Sequence, residues 1–179
     1  MREHFEAINH KEAILYVESL VQENKGLSEW EIKSIHALVL KNIDHENAGQ
    51  YRSINVLISG AQHRPCDYFQ VSEKMEKFID WYNTDGQMLH PIERAALVHA
   101  DFVGIHPFVD GNGRTSRLLM NLELMKSGFP PVVIRVENRL DYYKALDTAH
   151  TSGNYDPFIN LVAQAAQESF EPYFFVMGI

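Results

Sequence analysis

The sequence predicts an all-α domain of six to eight helices with one small β-hairpin. Apolar residues recur at three- and four-residue intervals over most of the chain. Helix start and stop signals (Ser-x-x-Glu, Pro in a first turn, Gly past a last turn) are spread along it. β-Branched residues concentrate in a single stretch, YRSINVLISGAQHRP.

Phe5, Ile8, Ala13, Ile14, Val17, Leu20 and Val21 form the apolar face of a first helix that ends near Asn24 to Gly26. A second opens at Ser28, with Glu31 completing a capping box, and turns Ile32, Ile35, Leu38 and Val39 inward. The hairpin falls at about 53–65, with Gly60 at its turn. Helices resume over Ser72 to Trp81, from Pro91 to about Ile105, and from about Arg114 to Ser127 with Gly128 as the stop. The last two span Asn138 to about Ala149 and Asp156 to about Phe174. No repeat, low-complexity tract or linker interrupts the chain, so residues 1–179 read as one domain, with its core at about 28–150.

The formal net charge of −8 argues against a nucleic-acid partner, because such binding is driven by cations that neutralise phosphates. A single cysteine, Cys66, excludes an intramolecular disulfide and a Cys-x-x-Cys site. No apolar run reaches the ~18 residues of a membrane span, so no membrane role is expected and the cytoplasm is the expected compartment. Nine histidines are present without HExxH or paired His/Cys spacing, and they read as solvated or capping residues.

The informative stretch is HPFVDGNGRTSRLLMN, His106 to Asn121. Arg114 and Arg117 stand in the first turn of a helix, where the dipole makes a cation cost about 0.3–1 kcal/mol each. An anion removes the penalty. Gly111, Asn112 and Gly113 can present backbone N–H groups as a nest for phosphate, and the arginines, three residues apart on one face, can serve successive phosphates. Asp110 beside a polyphosphate calls for a cation between them, and Mg²⁺ takes one or two carboxylates plus phosphate oxygens. His106, stiffened by Pro107, is suited to accept a proton from an attacking hydroxyl. The P-loop pattern GxxxxGK[ST] is absent, Ser116 breaks GxGxxG, and no βαβ alternation supports a dinucleotide fold.

The segment HPFVDGNGRTSR resembles the signature of Fic-domain proteins, HxFx[D/E]GNGRxxR, at every fixed position. REHFEAINHKEAI, AGQYR, VLISGAQHRP, LHPIERAALVHADFVGIHPF, RLLMN and DYYKAL are similar to Fic segments in their usual order. The branch most similar includes the animal endoplasmic-reticulum enzyme that modifies an Hsp70-type chaperone, together with its bacterial relatives.

This resemblance implies a mostly α-helical Fic fold and AMPylation: AMP passes from ATP to a Ser, Thr or Tyr hydroxyl of a target protein, or of the chain itself, and pyrophosphate leaves. By the same resemblance His106 is the base of the catalytic loop 106–117. Asp110 holds Mg²⁺, with Mn²⁺ as a substitute, and Gly111, Asn112 and Gly113 receive phosphate oxygens. Arg114 and Arg117 take the β/γ end. Tyr142 and Tyr143 flank adenine. The hairpin is similar to a flap whose residues Val56, Leu57, Ile58, Ser59 and Gly60 align the target segment by strand addition. His150 falls where relatives often carry asparagine and is assigned no role.

Relatives in this branch carry an inhibitory helix with [S/T]xxxE[G/N]. SLVQEN, Ser19 to Asn24, fits that pattern, but relatives place the motif upstream of the segment resembling EAINHKEAI, so Glu23 is read as coincidental and the chain as lacking the helix. Alternatives are removal of AMP, transfer of another nucleotidyl group, and an ATP-binding regulator without turnover. Apolar positions of the terminal helices could serve a homodimer.

Overall fold

A computed structural model describes residues 2–24 and 26–178, which form helices and irregular segments with no strand among them. The order is α1 (Arg2–Gln22), α2 (Glu29–Leu40), α3 (Val71–Asn83), α4 (Pro91–Ile105), α5 (Asn112–Lys126), α6 (Arg139–Ser152), α7 (Asp156–Glu168) and α8 (Glu171–Met177). Short 3₁₀ turns precede α3, α4 and α6. α4 and α5 form the most extensive helix pair and lie at the centre. On one side they pack with α1, α2 and α3 around Ile35, Met75, Phe102, Phe108 and Leu119. On the other, α6 and α7 close over Ala96, Met120, Tyr142, Phe158 and Val162.

The capping box at Ser28 forms as its sequence dictates: the hydroxyl accepts from the Trp30 amide, and Glu31 accepts from the Ser28 amide. The face of α1 is rotated from the expected one. Ile8 and Ile14 are exposed, whereas Asn9, Ala13, Val17 and Leu20 are buried. The reason is polar. α2 ends with carbonyls that have no partner within the helix, and the Asn9 amide donates to those of Val39 and Lys41. The expected long C-terminal helix is two, because Pro172 lies in the first turn of α8 and cannot donate back to the preceding turn.

The expected hairpin is a correction. Residues 53–65 form an irregular loop with one turn, closed by Ala61 N–H to Ile58 O at 3.2 Å, and no ladder links its arms. Side chains do that work instead. Arg52, only 3% exposed, lies between the arms and donates to the carbonyls of Ile54 and Cys66 at 3.0 and 2.5 Å. Asn55 donates to Asp67 and accepts from the Tyr68 amide. The loop is pinned to α6 by Asp147, whose carboxylate accepts the amides of Gln62 and His63 at 2.9–3.1 Å.

A buried charge cluster joins α3, α4 and α5. Glu123, fully buried, lies 2.9 Å from Arg94 Nε and 3.8 Å from Lys126 Nζ, and accepts from the Tyr82 hydroxyl at 2.7 Å. Burial is tolerable for such a carboxylate only with its partners in place.

Candidate active site

The loop between α4 and α5 is locked from several sides. His106 ends α4 in the left-handed conformation, φ 53°, which costs a non-glycine residue roughly 1–2 kcal/mol. Arg52 holds it there, donating Nε–H to the His106 carbonyl and its own amide to the Pro107 carbonyl, both at 2.9 Å. The His106 ring places Nδ1 3.1 Å from the Val103 carbonyl. A carbonyl only accepts, so Nδ1 carries the proton and Nε2 keeps its lone pair. Burial lowers the pKa of this imidazole, against the Val103 bond, and the neighbouring Arg52 lowers it further. It is therefore neutral, and basic at Nε2, at pH 7.

The glycines and Asn112 divide their tasks. Gly111 adopts φ 79°, and a Cβ there would meet His36 Nε2 at 3.1 Å, so glycine is required twice over. Its amide donates to its neighbour Asp110 at 2.6 Å. The Asn112 side chain is buried and closes the loop internally, accepting from the Phe108 amide and donating to the Phe108 carbonyl. α5 thus starts at Asn112, two residues before the expected Arg114, and Gly113 and Arg114 occupy its first turn.

Asp110 is half-exposed at the mouth. Burial pushes its carboxyl up, but the Gly111 amide, Arg114 and Arg2 together hold it below the ordinary carboxylate range. Arg2 of α1 approaches it at 2.5 Å and Arg114 at 3.4 Å, while Glu6 of α1 sits 3.3 Å from Arg114. One ionised, accessible carboxylate beside a site for anions fits Mg²⁺ that is carried mainly by phosphate oxygens. No group of three or more His, Cys, Asp or Glu side chains able to hold a metal occurs among the described residues.

Arg117 projects from the next turn of α5, pairs with no acid among the described residues, and its charge near the Tyr142 hydroxyl works against the rise that burial gives that phenol's pKa. That hydroxyl also lies 3.2 Å from His99 Nε2, which in turn is 3.1 Å from Ser116 Oγ. His106, Gly113, Arg117, Tyr142 and Tyr143 line one cavity of about 440 Å³, and Ile58, Ser59 and Gly60 of the irregular loop border it. Val56 and Leu57 lie outside that lining. The two tyrosines differ. Tyr142 is buried with its hydroxyl at His99, whereas Tyr143 is 49% exposed and offers a ring to the cavity. His150 also lines it and donates from Nε2 to the Ala100 carbonyl, 2.8 Å away; the ring fits because residue 104 is glycine, where a Cβ would come within 2.8 Å. Glu23 follows α1 roughly 25 Å along the helix from Glu6, at about 1.5 Å per residue.

Sequence reading missed His36, Arg52, His99 and Asp147. His36 is fully buried and stacked on Phe108 at 3.5 Å, receives the Gly49 amide at Nδ1, and donates from Nε2 to the Asp110 carbonyl at 2.8 Å. The one available signal was its register, on the apolar face of α2 between Ile35 and Val39. Burial drives the His36 pKa to about 4 and that of His99 down as well. Both are depressed in the folded state, so their stabilising effect is complete above the unfolded value of 6.5 and is lost as pH falls below it. Acid titration followed by urea unfolding should show stability falling between pH 6.5 and 4, by on the order of 3 kcal/mol for His36. A flat profile over that window would contradict the buried neutral assignment.

Comparison with known proteins agrees with this geometry. The Fic/DOC family pattern matches residues 26–124. The chain is 44% identical over 173 residues to the protein adenylyltransferase Fic of Nematostella vectensis, covering 96% of this chain and 40% of that protein. It is 39% identical over 176 residues to protein adenylyltransferase fic-1 of Caenorhabditis elegans, covering 97% of this chain and 34% of that protein. The chain thus spans well under half the length of these relatives. Fic-1 of C. elegans, solved over its amino acids 134–508, superposes with a TM-score of 0.90 at 38% identity, covering 99% of this chain and 53% of that one. A Fic domain containing signalling protein from Bacteroides thetaiotaomicron superposes with a TM-score of 0.83 at 29% identity, over 94% of this chain and 70% of that one.

Proposed function

The chain belongs to the Fic/DOC family, and from that premise we propose that it is a protein adenylyltransferase, moving AMP from ATP to a hydroxyl of a target protein or of itself. The observation that carries this reading is the His106 ring, which has Nδ1 committed to the Val103 carbonyl and lines a cavity shared with Gly113 and Arg117. The target hydroxyl gives its proton to Nε2, and its oxygen forms a bond to the α-phosphorus. The bond from that phosphorus to the bridging oxygen breaks, and pyrophosphate leaves. Negative charge grows on the leaving oxygens, where Arg114, Arg117 and the first-turn amides of α5 meet it.

Asp110 would hold Mg²⁺, which supplies charge neutralisation between phosphates. Its carboxylate would exchange Arg2 for the ion. Tyr143 supplies the accessible ring beside adenine. The loop 56–60 docks the target segment through backbone groups free of any ladder.

Incubation with α-³²P-labelled ATP, Mg²⁺ and a cell lysate should label protein, including the chain itself. Arg117→Ala should raise the KM for ATP about 10- to 100-fold, the value of a charge-assisted hydrogen bond. Retention of γ-label instead of α-label would replace this reading with phosphoryl transfer. Binding of ATP without any label would replace it with a regulator.

A further inference from the structure

Beside the cavity of His106 lies a larger one, of about 650 Å³. Phe78 and Trp81 of α3 and Ile105 of α4 supply its buried and half-buried lining, while Arg64, Lys74 and Lys77 are its exposed cations. Lys77 is engaged by Glu73 at 2.5 Å, but Arg64 and Lys74 are in no ion pair among the described residues. The acid in the lining, Asp101, accepts from the Tyr155 hydroxyl at 2.7 Å. Cations therefore outnumber acids here, in a chain whose overall charge is −8.

The two cavities are continuous in their walls. His63 and His150 line both, with ring centroids 4.5 Å apart, and each Nε2 is fixed on a carbonyl of α4, Gly104 and Ala100 respectively. The histidine pair therefore forms the boundary that the two spaces share. A segment presenting its hydroxyl to His106 would run past the histidine pair into the second cavity.

We propose that this basic, aromatic-floored cleft receives an acidic stretch of the target protein that adjoins the modified hydroxyl, and so selects targets by charge. The proposal rests on the adenylyltransferase reading for what the neighbouring cavity does, and on Arg64, Lys74 and Trp81 for the selection itself. Two unpaired cations suit one or two carboxylates, and the apolar floor suits the adjoining side chains. A nucleic-acid strand would need a longer run of cations than this cleft offers.

The test uses fluorescein-labelled twelve-residue peptides with one central serine and a run of glutamate, lysine or alanine filling one side of it or the other. Anisotropy is measured without nucleotide, and transfer is measured with labelled ATP. The expected result is at least about tenfold preference for glutamate over lysine on one side of the serine, in binding and in transfer. In the Arg64→Glu/Lys74→Glu variant that preference should vanish or invert, while the alanine peptide is modified at its former rate. Equal binding of all peptides, or a preference that survives in the variant, overturns the proposal. If no peptide is modified, the anisotropy still decides: charge-dependent binding lost in the variant supports the cleft and counts against the transfer reaction alone. Equal binding of a single-stranded oligonucleotide of matched charge would overturn the acidic-protein assignment.

Discussion

Replacing His106 by alanine is expected to lower AMP transfer by about 10²–10⁴-fold while leaving ATP affinity nearly unchanged, because the ring's role is to take a proton in the transition state. The backbone is the natural objection, since residue 106 sits at φ 53°. Histidine and alanine both carry a Cβ and share that strain, so the substitution removes the base and one bond to Val103 without adding backbone cost. Thermal unfolding should move little. The acidic limb of kcat/KM offers an independent check in the parent protein. Burial and Arg52 lower the His106 pKa below the usual 6.5, so activity should be complete at pH 7 and decline only on acidification below 6.5. A limb above that value, or transfer surviving in the variant, would remove His106 from the mechanism.

Glu123→Ala should cost about 3–5 kcal/mol of stability, with the chemistry of the loop untouched in whatever fraction stays folded. The substitution leaves Arg94 and Lys126, both largely buried, without their counter-charge and takes the acceptor from the Tyr82 hydroxyl. For a chain of this length each kcal/mol moves the midpoint about 2–4 °C, so a fall of about 10 °C is expected in thermal unfolding. Glu123→Gln should fall between the two, since its amide oxygen still accepts from Tyr82. A midpoint unchanged by Glu123→Ala would show that the cluster contributes no net stability.

The parts of the site that could be read from sequence are those built from neighbours in the chain. His106, Asp110, the glycines and both arginines lie within twelve residues, and the helix dipole alone marks the arginines as misplaced unless an anion arrives. The capping box at Ser28 is equally local. The supports were not legible. His36 and Asp110 are far apart in sequence, as are Arg52 and His106, and pairing them requires the helices already packed. The irregular loop shows the opposite error. Val56, Leu57 and Ile58 have strand propensity, but a strand exists only by pairing, and Arg52, Asn55 and Asp147 capture the backbone groups and arms that pairing would have used. Tyr142 shows a third limit, because spacing places two adjacent tyrosines near the site without telling which is turned inward.

The grip of α1 on the loop has a thermodynamic consequence. With Glu6 on Arg114 and Arg2 on Asp110, α1 sets one anion and one cation against the two side chains that an incoming nucleotide and its ion would engage. Occupancy is then an exchange of like for like. Association should depend on ionic strength less steeply than a polyphosphate meeting two bare guanidinium groups, since salt weakens the departing contacts as well as the arriving ones.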